Sequence, residues 1–239
     1  MVGVAPLVVV ILSICTVAAA QVASRGARTA ATCHGKAATI IGTVGDDTIQ
    51  GTAGDDVIVA LGGNDTIYTN GGNDDVCAGT GDDQVNPLAF PTGSAWISGG
   101  AGRDFLQGPQ GFDRIDGGGG PDTISPGLVD SVLRGGPGQD HLIGNGGADR
   151  MYGGAGHDAI NGNFGPDVIV GGPDNDTING GGGADRISPG PGNDYVDGAQ
   201  QNDTIDAVDG VSGNDIVVGG KGIDTCSADA GDSISECEG

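Results

Sequence analysis

Gly135-Gly-Pro-Gly-Gln-Asp-His-Leu-Ile143 and Gly153-Gly-Ala-Gly-His-Asp-Ala-Ile-Asn161 are two copies of one nine-residue unit, and Gly181-Gly-Gly-Ala-Asp-Arg-Ile-Ser188 lies within a third. From Gly99 to Asp206 the unit recurs twelve times without a gap. Its sixth place is Asp in eleven of the twelve, with Ser131 the exception. Its eighth place is always large and apolar: Leu106, Ile115, Ile124, Leu133, Leu142, Met151, Ile160, Ile169, Ile178, Ile187, Val196 and Ile205. So strict a period decides the architecture before any local propensity is consulted. Glycines at the first, second and fourth places admit positive φ, so six residues can make a tight turn. The last three make a short strand whose middle side chain faces one way and whose neighbours face the other. Two units therefore close one coil. Stacked coils give an all-β, right-handed parallel β-roll, a β-solenoid with the eighth-place residues inside.

Such a core is thin. Each unit buries one aliphatic side chain, worth roughly 2 kcal/mol, a fraction of the entropy lost in ordering nine glycine-rich residues. Coils also stack about 4.8 Å apart, so sixth-place carboxylates along one edge form a ladder of like charges that something must neutralise. Carboxylates and turn carbonyls, with no His or Cys among them, are hard oxygen donors suited to Ca²⁺.

The unit resembles the G-G-x-G-x-D-x-U-x repeat of RTX (hemolysin-type) calcium-binding proteins. That resemblance implies a β-roll binding several Ca²⁺ ions between the turns of successive coils. Carried over by position, the ligand carboxylates are Asp104, Asp113, Asp122, Asp140, Asp149, Asp158, Asp167, Asp176, Asp185, Asp194 and Asp203. Five units at 42–86 add Asp47, Asp56, Asp65, Asp74 and Asp83, and units 210–218 and 219–227 add Asp215 and Asp224. Unit 126–134 departs twice, with Val129 in a glycine place and Ser131 in the Asp place, although Asp130 is adjacent. Asp46, Asp55 and Asp82 precede ladder positions and are expected to point outward.

Composition agrees with an acidic roll. The 239 residues include 51 Gly and only 3% aromatics, and the formal charge is −23. With nine Lys and Arg in all, nucleic acid is a poor partner. Residues 1–20 form an apolar run ending in Ala18-Ala19-Ala20, which reads as a secretory signal peptide; no Lys or Arg precedes it, and a membrane anchor is the alternative. Residues 21–41 read as a leader and N-terminal cap, with Thr39-Ile40-Ile41 as a degenerate strand covering the roll's open edge. The roll spans 42–227, and a short insert at 87–98 carries Phe90 and the single tryptophan, Trp96. That insert reads either as a packing loop or as an exposed recognition loop. A second three-residue insertion falls at 207–209, and 228–239 form a C-terminal cap. After removal of the leader four cysteines remain, two toward each end of the repeats, suggesting disulfides Cys33–Cys77 and Cys226–Cys237. The first closes a loop long enough to stabilise by roughly 3–4 kcal/mol.

No nucleophile elbow, zinc-protease helix or phosphate-binding loop is present, and His34, His141 and His157 are scattered. The expectation is a secreted, extracellular or surface-associated calcium-binding protein without enzymatic activity. A calcium-dependent adhesion or surface-polymer-binding module is the alternative, and a hydrolytic or carbohydrate-active enzyme ranks last. Alternate units show their seventh and ninth residues on opposite faces of the roll. One face collects Arg114, Arg134, Arg150 and Arg186, either paired with Asp116 and Asp206 or docking an anionic surface polymer or partner protein. The other face carries Phe105, Thr123, His141, Thr177 and Tyr195.

Overall fold

The computed structural model describes residues 31–87, 92–211 and 214–238. The expected signal peptide and Phe90 lie outside them. The regular elements among the described residues are all strands. Two parallel sheets of eleven strands each face one another, and successive strands of the chain alternate between them. The first sheet begins at Ile40–Ile41 and ends at Thr225–Ala228, and the second begins at Thr48–Gln50 and ends at Ser233–Ser235. Within each sheet the hydrogen-bonding order is the chain order, the arrangement of a parallel β-roll.

Register follows the repeat. Ile115 pairs with Leu133, Leu133 with Met151 and Met151 with Ile169, so like places stack two units apart. Register is kept across both three-residue insertions: Val76 pairs with Ile97, and Val196 with Val217. Every eighth-place residue from Leu106 to Ile205 is buried. The core is thus two facing files of aliphatic side chains, one per strand, with nothing behind them but the other sheet.

Several strands run longer than the three residues the pattern predicts. Ala95–Ala101 and Arg114–Gly119 continue into the following glycine pair, where Gly118 pairs with Gly100 and Gly119 with Ala101. The extension needs glycine, because the backbone of one turn lies directly on the next. Gly118 has φ +104°, and a Cβ there would overlap the Gly100 carbonyl; Gly119 beside it faces open space. Gly118→Ala is therefore expected to lower calcium-saturated stability by about 2 kcal/mol or more, while Gly119→Ala stays within about 0.5 kcal/mol. Urea midpoints of the two variants check this, and equal midpoints would contradict it.

The ends depart from the sequence reading in two ways. Thr32–Cys33 and Lys36–Ala37 pair as an antiparallel hairpin that no repeat signal announced. The Cys33–Cys77 disulfide, with Cα atoms 5.7 Å apart, ties this hairpin to the outward side of the first sheet, since Cys77 occupies a ninth place. His34 stacks on Trp96 with ring centroids 4.0 Å apart, and Lys36 and His34 both bond Asp75. Residues 32–37 thus cover a sheet face, and Ile40–Ile41 forms the first rung. At the other end, Cys226–Cys237 is also bridged. The cap between them holds one more rung, Ser233–Ser235, paired with Ile216–Val218. It escapes the nine-residue count because Asp232 follows Asp224 by one residue too few.

Candidate metal centre

The sixth-place aspartates sort into two ladders, one along each edge of the roll. In the turns entering the second sheet, each backbone N–H donates to Oδ1 of the Asp one coil further on. The series runs from Asp47 N–H to Asp65 (2.8 Å) through Asp83, Asp104, Asp122, Asp140, Asp158, Asp176 and Asp194 to Asp215 (2.9 Å). Asp232, which the repeat pattern missed, extends it by accepting from Asp215 N–H at 3.3 Å.

The ladder entering the first sheet is interrupted. Asp56 N–H donates to Asp74 at 3.0 Å, but Ala95 takes the next sixth-place position on this edge. Ala95 N–H then donates to Asp113, whose own N–H meets Ser131 Oγ at 3.3 Å. From Ser131 the series resumes through Asp149, Asp167, Asp185 and Asp203 to Asp224. Asp130 does not replace Ser131: it is exposed and accepts Ala148 N–H. Asp46, Asp55 and Asp82 behave alike, exposed and bonded to the backbone of Asn64, Asn73 and Arg103. They form an outer ladder distinct from the buried one.

The other carboxylate oxygen carries the chemistry. In fourteen aspartates (65, 83, 104, 122, 140, 149, 158, 167, 176, 185, 194, 203, 215 and 224) Oδ2 is buried with no hydrogen-bond partner in the protein. An acceptor left so is costly unless something satisfies it. In nine of the fourteen (104, 122, 140, 149, 158, 167, 176, 185 and 203) Oδ2 lies against the first-place glycine of its own unit, where the first-place carbonyl of the next coil also arrives. A Cβ on Gly198 would meet both Asp203 Oδ2 and the Gly219 carbonyl at 2.6 Å, and one on Gly180 would meet Asp185 Oδ2 at 2.6 Å. Glycine keeps that space open. The donors around it are carboxylate and carbonyl oxygens, the hard set that suits Ca²⁺.

Three of the expected ligands differ. Oδ2 of Asp47 and Asp56 accepts from Thr43 N–H and Thr52 N–H, each at 2.6 Å, and Oδ2 of Asp113 accepts from Gly127 N–H at 3.1 Å. The first two lie in units with Thr in the second place, and Asp113 lies between the two ladder interruptions. Asp74 is buried on the ladder with its Oδ1 accepting the Asp56 N–H. Asn214 Oδ1 is a further buried oxygen without a partner, which the repeat reading did not include.

Burial disfavours charge on these carboxyls. It pushes Asp113, Asp122, Asp149, Asp167, Asp176 and Asp203 up to about 7, and Asp74, Asp83, Asp104, Asp158 and Asp194 up to about 6. Asp65, Asp140, Asp185 and Asp215 are raised for the same reason. The N–H donors pull the other way, and neighbouring carboxylates add to the rise at most of these positions, Asp122 among them. Anions forced this close and this dry call for a cation. Cys33, His34 and Cys77 also approach one another, but their disulfide consumes both thiolates that a soft metal would need.

Fold and site together define a calcium-type β-roll, in which a charge ladder on each edge encloses a thin aliphatic core. The family model of the RTX calcium-binding nonapeptide repeat matches in overlapping copies at 37–65, 50–85, 92–128, 129–160, 152–187, 161–196, 170–205 and 209–232. The chain belongs to that family, and calcium is the ion its repeats bind. No curated protein matches the chain.

Proposed function

We propose that this is a secreted, non-enzymatic protein that folds into its roll on binding Ca²⁺ outside the cell. The ligands in this reading are the buried ladder aspartates and the turn carbonyls beside them. The observation that carries it is the row of buried Oδ2 atoms without partners. Low cytoplasmic calcium would leave the chain self-repelling and unfolded, and export into a calcium-rich medium would couple folding to binding. The two disulfides suit an oxidising compartment. The bounds proposed are a cleaved signal peptide at 1–20, a leader and N-terminal cap at 21–41, the nonapeptide roll at 42–227 and a stapled cap at 228–239, each cap lending the roll one rung. Protein recovered from the medium of expressing cells is expected to begin at Gln21 and to carry no free thiol. Retention of an uncleaved, reduced chain inside cells would contradict export.

A second reading, calcium-dependent adhesion to a surface polymer, is favoured by one observation: none of Arg114, Arg134, Arg150 and Arg186 is among the ion pairs of the described residues, which are His34–Asp75 and Lys36–Asp75. The pairing with Asp116 and Asp206 that the sequence allowed is therefore absent among the described residues.

A further inference from the structure

The outward faces of the two sheets differ in charge. The strands of the second sheet carry no Lys or Arg at all. The first sheet, between Ala95–Ala101 and Thr204–Ala207, presents four arginines against Asp116 and Asp206, a cationic face on a chain of net charge −23. Its arginines are ordered. Register places Arg114, Val132, Arg150, Val168 and Arg186 side by side on five successive strands. Parallel strands lie about 4.8 Å apart, so the three guanidinium stems recur about every 9.6 Å along the roll. Arg134 stands in the neighbouring file, over the Tyr152 ring at 5.3 Å.

Two shallow depressions flank this file. One, of about 190 Å³, lies between Trp96, Phe112, Arg114 and Lys36. The other, of about 240 Å³, is lined by Val168, Val170, Arg186, Ser188, Thr204 and Asp206. Each sets a guanidinium beside an apolar wall, with hydroxyl groups at Ser94 in the first and at Ser188 and Thr204 in the second. That combination meets a sugar ring that has apolar C–H faces, hydroxyl edges and an acidic substituent.

We propose that this face binds a linear acidic polysaccharide with one carboxylate per disaccharide, laid along the roll axis across the strands. The spacing selects the class. Arginines on alternate strands match an anion on alternate sugars, whereas each strand of a nucleic acid duplex carries a phosphate about every 3.4 Å of helix axis. The shape selects it again. The face is a few residues wide, the width of three-residue strands such as Arg186–Ser188, so a narrow chain lies along it and a broad anionic surface meets few of its arginines. The proposal rests on the adhesion reading above, and needs the roll folded but no particular count of calcium ions.

The test uses the calcium-loaded full chain and a hyaluronan decasaccharide, with a neutral cello-oligosaccharide as comparison. Binding is read by calorimetry and by the fluorescence of Trp96, the single tryptophan. Wild type is expected to bind the hyaluronan fragment, more weakly as salt rises, and to ignore the neutral one. Arg150→Gln/Arg186→Gln is expected to lose at least tenfold in affinity, while Arg103→Gln, on a turn outside the file, keeps it. No binding by folded wild type, equal binding by the double variant, or binding only to phosphatidylserine vesicles would each overturn the proposal. Circular dichroism on the same samples separates the outcomes: a sheet spectrum with no binding sinks this site, and loss of the sheet in calcium sinks the calcium reading instead.

Discussion

Stripped of calcium at pH 7.5, the chain is expected to give the circular dichroism of a disordered coil, and excess calcium to restore a parallel-sheet spectrum. The argument is one of proportion. Each repeat contributes a single aliphatic side chain to the core, at roughly 2 kcal/mol apiece, against the entropy of nine residues that include several glycines. At neutral pH the same fold would align carboxylates a strand spacing apart, fourteen of them with one oxygen dry and unsatisfied. In the proposed function the cation removes both penalties together, so its effect is expected to be cooperative along the stack, as in other solenoids whose units hold only through their neighbours. A sheet spectrum that persists after calcium removal would show that the backbone and core suffice alone.

The second large effect is acid rescue of the calcium-free chain. In the rolled state burial raises ladder carboxyls such as Asp104 to about 6 and Asp149 to about 7, against about 3.9 for an unfolded Asp. The roll therefore holds more protons than the coil between these values. Its stability from this source is complete below about pH 4 and is lost as pH rises through 6 and 7. Calcium-depleted protein that is coil at pH 8 is thus expected to gain sheet structure on titration to pH 5, because protons discharge the ladder in place of the metal. With calcium present the trend reverses, since protons compete for the same oxygens and more calcium is needed at pH 5 than at pH 8. An equally disordered calcium-free spectrum at both pH values would rule out ladder repulsion as what keeps the chain open.

Much of this was legible in the sequence because the repeat leaves little freedom. An aliphatic residue every ninth place set the strand phase, and Ile97 and Val217 kept it across both insertions. The cysteine pairing followed from placement, and the structure forms both bonds. What escaped depends on the alternation of coils. Ala95 and Ser131 look like separate blemishes along the chain, yet both fall on one edge and bracket Asp113. Asp232 was hidden by a single missing residue. Whether Oδ2 turns to a metal or to a nearby N–H, as at Thr43, Thr52 and Gly127, is decided by local turn geometry that residue type does not report. Trp96, read as part of an insert, is a seventh-place strand residue 41% exposed, and the hairpin bearing His34 comes back to stack on it.

The most direct measurement is calorimetric titration of the calcium-depleted, oxidised chain with calcium at pH 7.5. Several ions per chain are expected to bind cooperatively below about 1 mM, a concentration usual for extracellular sites. Proton release should accompany binding, and the fourteen partnerless Oδ2 atoms set a ceiling if each receives one ion. No uptake of calcium up to that concentration would contradict the account, even if the roll itself were intact.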